Sequence, residues 1–147
     1  MPRGRNGYKL HLDTNDIGLL ISALVTSASL HDSQVSIPLI KMTSNKVTYL
    51  YGLMDAAYDA HMIKETSRKF GHVPIADRNG RGTDVVPMAP HEAERYKIRS
   101  CAERANSRLK EDFGASNVMV KGHSKVTLHL MLGVVVLFAD QLLRLAG

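Results

Sequence analysis

The sequence predicts an α/β domain, because segments with strand periodicity alternate with segments of helical periodicity along its 147 residues. Two further observations support that class. The composition, 44% hydrophobic and 22% charged, is that of a chain that buries a core and excludes a disordered one. Turn-forming residues also cluster between the periodic segments and not within them.

The first element is a β-hairpin from Gly7 to Ser29. Tyr8, Leu10 and Leu12 alternate with Lys9, His11 and Asp13, the period-two signature of a half-buried strand. Thr14-Asn15-Asp16-Ile17-Gly18 supplies turn chemistry, and LLISALVTSAS is apolar enough for a strand covered on both faces. A short helix follows from Asp32 or Ser33, both good N-caps, and Pro38 must sit in its first turns or bend it.

Lys46 to Met54 is rich in β-branched and aromatic residues, reads as a strand and ends at Asp55. Asp59 caps a helix to about Phe70, and residues 72–76 form another strand. Residues 77–90, rich in Gly, Pro and Arg, form a loop. One long helix then runs from His91 to Phe113, ended by Gly114. A final helix runs from a Ser124 cap to Leu145. Its apolar stripe of Leu128, Leu132, Val135, Leu142 and Leu145 reads as core packing, with an oligomer interface as the lesser alternative. The apolar run Leu128–Ala139 is too short to span a bilayer, which predicts a buried helix and no membrane.

Nineteen Lys and Arg against 14 Asp and Glu give a net charge of +5, which favours polyanionic partners. Cys101 is the single cysteine, so an internal disulfide is excluded, and the chain suits a reducing cytoplasm. The basic start of the chain has no apolar stretch behind it and is not a secretory signal. His31 and His123 read as loop histidines, and His129 as a core or edge residue.

On the long helix, Tyr96, Arg99, Glu103, Asn106 and Lys110 fall within an arc of roughly 80°. A carboxylate flanked by two cations, an amide and a phenol suits a metal ion at Glu103 and phosphates at Arg99 and Lys110. The bland reading is a solvated Arg99–Glu103 salt bridge at i,i+4. Asp55 closes an apolar strand, the end at which open α/β sheets place their ligands. Its bland reading is a helix cap or turn residue.

Tyr96-x2-Arg99-x3-Glu103-x6-Lys110 matches the Y-(2)-R-(3)-E-(6)-K signature of insertion-sequence DDE transposases. LMDAAYDA around Asp55 resembles that family's second-aspartate strand. GYKLH and TSASLHDS resemble its second and third strands and the turn into its first helix. The ending, from LKEDFG through LGVVVLFADQLLRL, is similar to its C-terminal helices. The resemblance covers nearly the whole chain, in order.

That resemblance implies a ribonuclease-H-like mixed sheet flanked by helices, lacking the first strand of the fold. Residues 7–145 would be a single partial catalytic domain, with 1–6 a basic extension. The implied activity is metal-dependent DNA nicking and strand transfer, with Asp55 and Glu103 as catalytic metal ligands. Two Mg²⁺ or Mn²⁺ ions, about 3.5–4 Å apart, would serve such chemistry. Tyr96, Arg99, Lys110 and Asn106 would contact DNA phosphates. Double-stranded DNA, both transposon ends and target, is the implied partner. Strand transfer at two ends implies a homodimer, and a bacterial, nucleoid-associated cytoplasmic location follows.

The chain departs from the family pattern in one respect. The strand carrying the family's first catalytic aspartate is missing, and Asp13, Asp16 and Asp32 match other places in the pattern. The expectation is therefore a fragment completed by an upstream transposase segment that supplies the aspartate. The alternative is an inactive DNA-binding remnant, with Arg78, Arg81, Arg104, Arg108 and Lys121 as backbone contacts in either case.

Overall fold

The computed structural model describes residues 7–58, 60–77 and 87–147. In chain order its elements are β1 (Tyr8–Thr14), β2 (Leu20–Ser27), α1 (Asp32–Ser44), β3 (Tyr51–Met54), α2 (His61–Lys69), β4 (Val73–Ala76), α3 (Pro90–Tyr96), α4 (Ser100–Glu111) and α5 (His123–Ala146). Single 3-10 turns cover Ala56–Tyr58 and Lys97–Arg99. The chain forms two compact units: one runs to Leu30 and resumes at Cys101, and the other is His31–Ser100.

In the first unit β1 and β2 pair antiparallel, from Tyr8 opposite Ser27 to Thr14 opposite Leu20, with a register shift at Asp13/Thr14. The connecting turn is held by Asn15, whose Oδ1 accepts from the backbone N–H of Ile17 (3.1 Å) and Leu19 (2.9 Å). Leu10 and Leu12 pack against the core, as the alternation predicts. The opposite face is not simply solvated, because His11 is buried and its Nε2 bonds Thr26 Oγ1 at 3.0 Å.

The α4 and α5 helices cover the hairpin. Leu20, Leu109 and Leu137 form one buried cluster, and Val25, Val126 and Leu130 a second. Gln141 of α5 ties the helix to the hairpin turn. Its Nε2 donates to the Gly18 carbonyl (2.7 Å), and its Oε1 accepts from Leu20 N–H (3.1 Å). Arg108 of α4 donates to Asp140 of α5 at 2.6 Å and holds that carboxyl below its ordinary pKa, with Arg144 assisting.

Gly133 lets α5 approach the end of α4. A Cβ there would lie 2.8 Å from the Phe113 carbonyl oxygen, which is backbone and cannot swing aside. Gly133→Ala is therefore expected to destabilise the unit by about 1–3 kcal/mol. Urea denaturation followed by far-UV circular dichroism measures it, and an unchanged midpoint would contradict the close approach.

In the second unit β3 and β4 pair parallel, Tyr51 opposite Val73 through Met54 opposite Ala76, with α2 as the crossover. Val35 and Ile40 of α1, Ile63 of α2 and Ile75 of β4 are buried. His72 is also buried; its Nδ1 donates to the Tyr49 carbonyl (2.7 Å), and its ring stacks on Tyr49 with centroids 3.7 Å apart.

Several sequence expectations need correction. The described strands form two two-stranded sheets, not one mixed sheet. The strand expected over 46–54 is only Tyr51–Met54. The single helix over 91–113 resolves into α3, a 3-10 turn and α4, though Lys97-Ile98-Arg99 contains neither Gly nor Pro to announce a break.

The N-cap of α1 is His31, one residue earlier than expected, its Nδ1 accepting from Ser33 N–H at 3.2 Å. Pro38 is accommodated inside this helix. Gly122, at φ +93°, turns the chain into α5, so Ser124 lies within the first turn and is not the cap. Asp59, expected to cap α2, the 1–6 extension, Arg78 and Arg81 lie outside the described residues.

The largest correction concerns α5. Only Val126, Leu130, Gly133 and Leu137 are buried, while Leu128, Leu132, Val135, Leu142 and Leu145 are all exposed. The stripe read as core is thus the solvent face, because the core contacts are made on nearly the opposite side of the helix at about 100° per residue. At 24 residues the helix is long and apolar enough to cross a membrane by length and composition, so the argument from a short apolar run fails. Yet its opposite face is fastened to the hairpin through Leu137 and Gln141.

Candidate functional site

Asp55 directly follows β3, at the carboxyl end of a parallel strand pair. Its backbone carbonyl accepts from Tyr58 N–H at 2.9 Å, closing the 3-10 turn. Both side-chain oxygens are engaged as well. Oδ1 accepts from Ala56 N–H at 2.6 Å, and Oδ2 accepts from Arg99 Nη2 at 3.1 Å. The turn-residue reading of Asp55 is therefore right as far as it goes, and the ion pair adds a long-range partner.

Arg99 and Asp55 are 44 positions apart in sequence. The Arg99 side chain is 27% exposed and that of Asp55 53%, so the pair lies at the rim of the unit, open to solvent. The Arg99 guanidinium also sits 5.8 Å from the centre of the Tyr96 ring, a cation–π arrangement that steadies it. One turn earlier, Arg95 lies over Tyr51 at 4.4 Å. The second unit thus brings together Asp55, Tyr96 and Arg99.

Tyr58 joins this group, and sequence reading missed it. The only signal was its place three residues after Asp55 in LMDAAYDA. Burial raises its phenol pKa to about 12, Asp32 and Asp55 push in the same direction, and Arg99 opposes them. The phenol therefore stays protonated through neutral pH. The folded chain holds this proton more tightly than the unfolded chain, whose pKa is near 10. Its stabilising contribution is thus complete below about pH 10 and lost as pH rises through about 12. Ultraviolet titration of phenolate should show one late step that Tyr58→Phe removes; titration of that step near pH 10 would contradict the placement.

Glu103, Asn106 and Lys110 lie on α4, in the first unit, spaced i, i+3 and i+7 on one α-helical face. Glu103 and Lys110 are exposed and Asn106 is half-buried. Ala105 and Leu109 are the buried residues of α4, and Ile98 is exposed in the 3-10 turn. Among the described residues no three His, Cys, Asp or Glu side chains gather closely enough to hold a metal ion.

Other residues read as DNA contacts have local partners. Arg108 is committed to Asp140 and Asp112, with its guanidinium 5.7 Å from the Phe113 ring centre. Arg104 donates to Cys101 Sγ at 3.1 Å, and Cys101 is half-buried. His129 Nε2 bonds the Gly114 carbonyl at 3.0 Å, as an edge residue would.

The chain is thus a mixed α/β protein with an aspartate at a strand end and the Tyr-Arg-Glu-Lys spacing. The family model described as the transposase DDE domain matches residues 2–139, and the chain belongs to that family. Comparisons with curated proteins and with solved structures returned no match.

Proposed function

We propose that this chain supplies the C-terminal part of a DNA-cutting and DNA-joining centre of ribonuclease-H-like type. Asp55 and Glu103 would be its metal ligands, and Tyr96, Arg99, Asn106 and Lys110 its phosphate contacts. Family membership over residues 2–139 supports the reading. The observation that carries it is the meeting of Asp55 and Arg99 at 3.1 Å across 44 positions. A carboxylate and a guanidinium at one strand end are the side-chain types that metal binding and phosphate neutralisation use.

The donor chemistry fits Mg²⁺ or Mn²⁺, which take hard oxygen ligands and bind through one or two carboxylates together with substrate phosphates. When bound, such ions stabilise the attacking and leaving oxygens of an in-line displacement at phosphorus. The side chains then have separate tasks. Asp55 and Glu103 would hold the cations through their carboxylates. Arg99 and Lys110 neutralise phosphate oxygens, with Arg99 offering a planar two-point fork. Tyr96 orients that fork through its ring, and Asn106 donates to the backbone.

In this reading a third carboxylate comes from an upstream segment, transposon ends and target DNA are the substrates, two copies act together, and the nucleoid is the site of action. The absence of a three-ligand cluster among the described residues favours one competing reading, a DNA-binding remnant that does not cut. Nicking of supercoiled plasmid with and without Mg²⁺, alone and with an added upstream segment, separates the two. Both readings predict DNA affinity whose logarithm falls linearly with that of salt. Only the first predicts Mg²⁺-dependent nicks, and none under either condition would reject it.

A further inference from the structure

We propose that Arg99 is an exchangeable counter-ion for Asp55, which occupies the carboxylate until a DNA phosphate draws it away, so that metal binding and DNA binding are coupled. The inference rests on the reading of Asp55 as a metal ligand given above.

Three observations carry it. Asp55 has both oxygens engaged, one by the backbone of its own turn and one by Arg99. The Arg99 contact is the exchangeable one, since the Ala56 N–H is fixed by the turn. Next, the pair is partly solvated, with Asp55 53% and Arg99 27% exposed, so the contact is weak and open to competition. Finally, Tyr96 lies 5.8 Å from the guanidinium, so Arg99 can release the carboxylate while keeping its ring contact.

The two roles of Arg99 compete for the same charge. A guanidinium held on Asp55 offsets the negative potential that attracts a divalent cation. A DNA phosphodiester offers the same two-oxygen fork geometry and the same single negative charge, and a duplex presents many of them close together. DNA therefore takes the arginine and leaves the carboxylate open to a cation. By linkage, a divalent cation at Asp55 must also strengthen DNA binding by the same factor. The metal-free, DNA-free chain rests in a neutralised state.

Mn²⁺ titration of the full chain without DNA, followed by electron paramagnetic resonance of free Mn²⁺, tests the exchange. Arg99→Gln is expected to bind Mn²⁺ about fivefold more tightly than the unaltered chain, the lower end of the usual range of coupling factors, as suits a partly solvated pair. Arg99→Lys, which keeps the charge, should stay near the unaltered value. In Asp55→Asn the gain from Arg99→Gln should vanish. An Arg99→Gln protein no tighter than the original, with Asp55→Asn weakened, overturns the exchange and leaves the ligand reading intact. An Asp55→Asn protein that binds Mn²⁺ as before overturns both, and so does a gain that persists in the double variant. A second measurement needs no variant: the affinity of the unaltered chain for a short duplex should rise by up to about fivefold with Mn²⁺. An unchanged affinity rejects the coupling.

Discussion

Asp55→Asn and Glu103→Gln are each expected to lower Mg²⁺-dependent nicking by at least about 100-fold while DNA affinity stays within a factor of about three. Both replacements keep the shape of the side chain and remove its charge, so they remove a metal ligand without opening a cavity. The fold should tolerate them. Glu103 is exposed on α4, and Asp55 is about half exposed. Its pair with Arg99 is a partly solvated ion pair of the kind worth about 0–1 kcal/mol. An asparagine Oδ1 can still accept from Ala56 N–H, so the 3-10 turn keeps its closure. The DNA affinity of Asp55→Asn should shift slightly upward, because Arg99 loses its carboxylate. Gel-based nicking and fluorescence anisotropy on the same preparations measure the two quantities. Nicking that survives either change would remove that residue from the metal site.

Leu137→Ala should destabilise the first unit by about 2–5 kcal/mol, whereas Leu132→Ala should change it by less than about 1 kcal/mol. Both leucines lie on α5, five positions apart, and neighbour equally apolar sequence. Leu137 is 0% exposed and packs with Leu20 and Leu109, so truncation leaves a void lined by side chains that cannot all close in. Leu132 is 57% exposed, so most of the removed surface faces water already. Urea denaturation distinguishes the two. Equal losses would mean that the exposed face of α5 is covered in solution, and the assignment of its core face would then be wrong.

The elements governed by neighbouring residues were legible in the sequence. The hairpin followed from the alternation of Tyr8, Leu10 and Leu12 and from the Asn15 turn chemistry. The strand expected over 72–76 was legible too, and it is Val73–Ala76. Capping was less legible. His31 caps α1 with an imidazole nitrogen where Asp32 and Ser33 looked more suitable, and Gly122 starts α5 by backbone conformation alone. These choices turn on one or two torsions that flanking residue types do not determine.

The Tyr96, Arg99, Glu103 and Lys110 spacing was readable before any coordinates and identified the family, because it is a pattern of intervals along the chain. Its geometry was not readable. A continuous helix was the natural inference from residues without Gly or Pro, yet a 3-10 turn divides it at Lys97–Arg99.

Local periodicity and residue intervals therefore determined the strand and helix types and the family to which the chain belongs. Tertiary structure decided three other matters: that Arg99 lies on Asp55, that Gln141 holds the Gly18 turn, and that Leu137 and not Leu132 is buried. The reason is physical. Periodicity shows that an apolar face exists, but an α5 apolar nearly all round offers several, and only contacts with distant residues select which is covered.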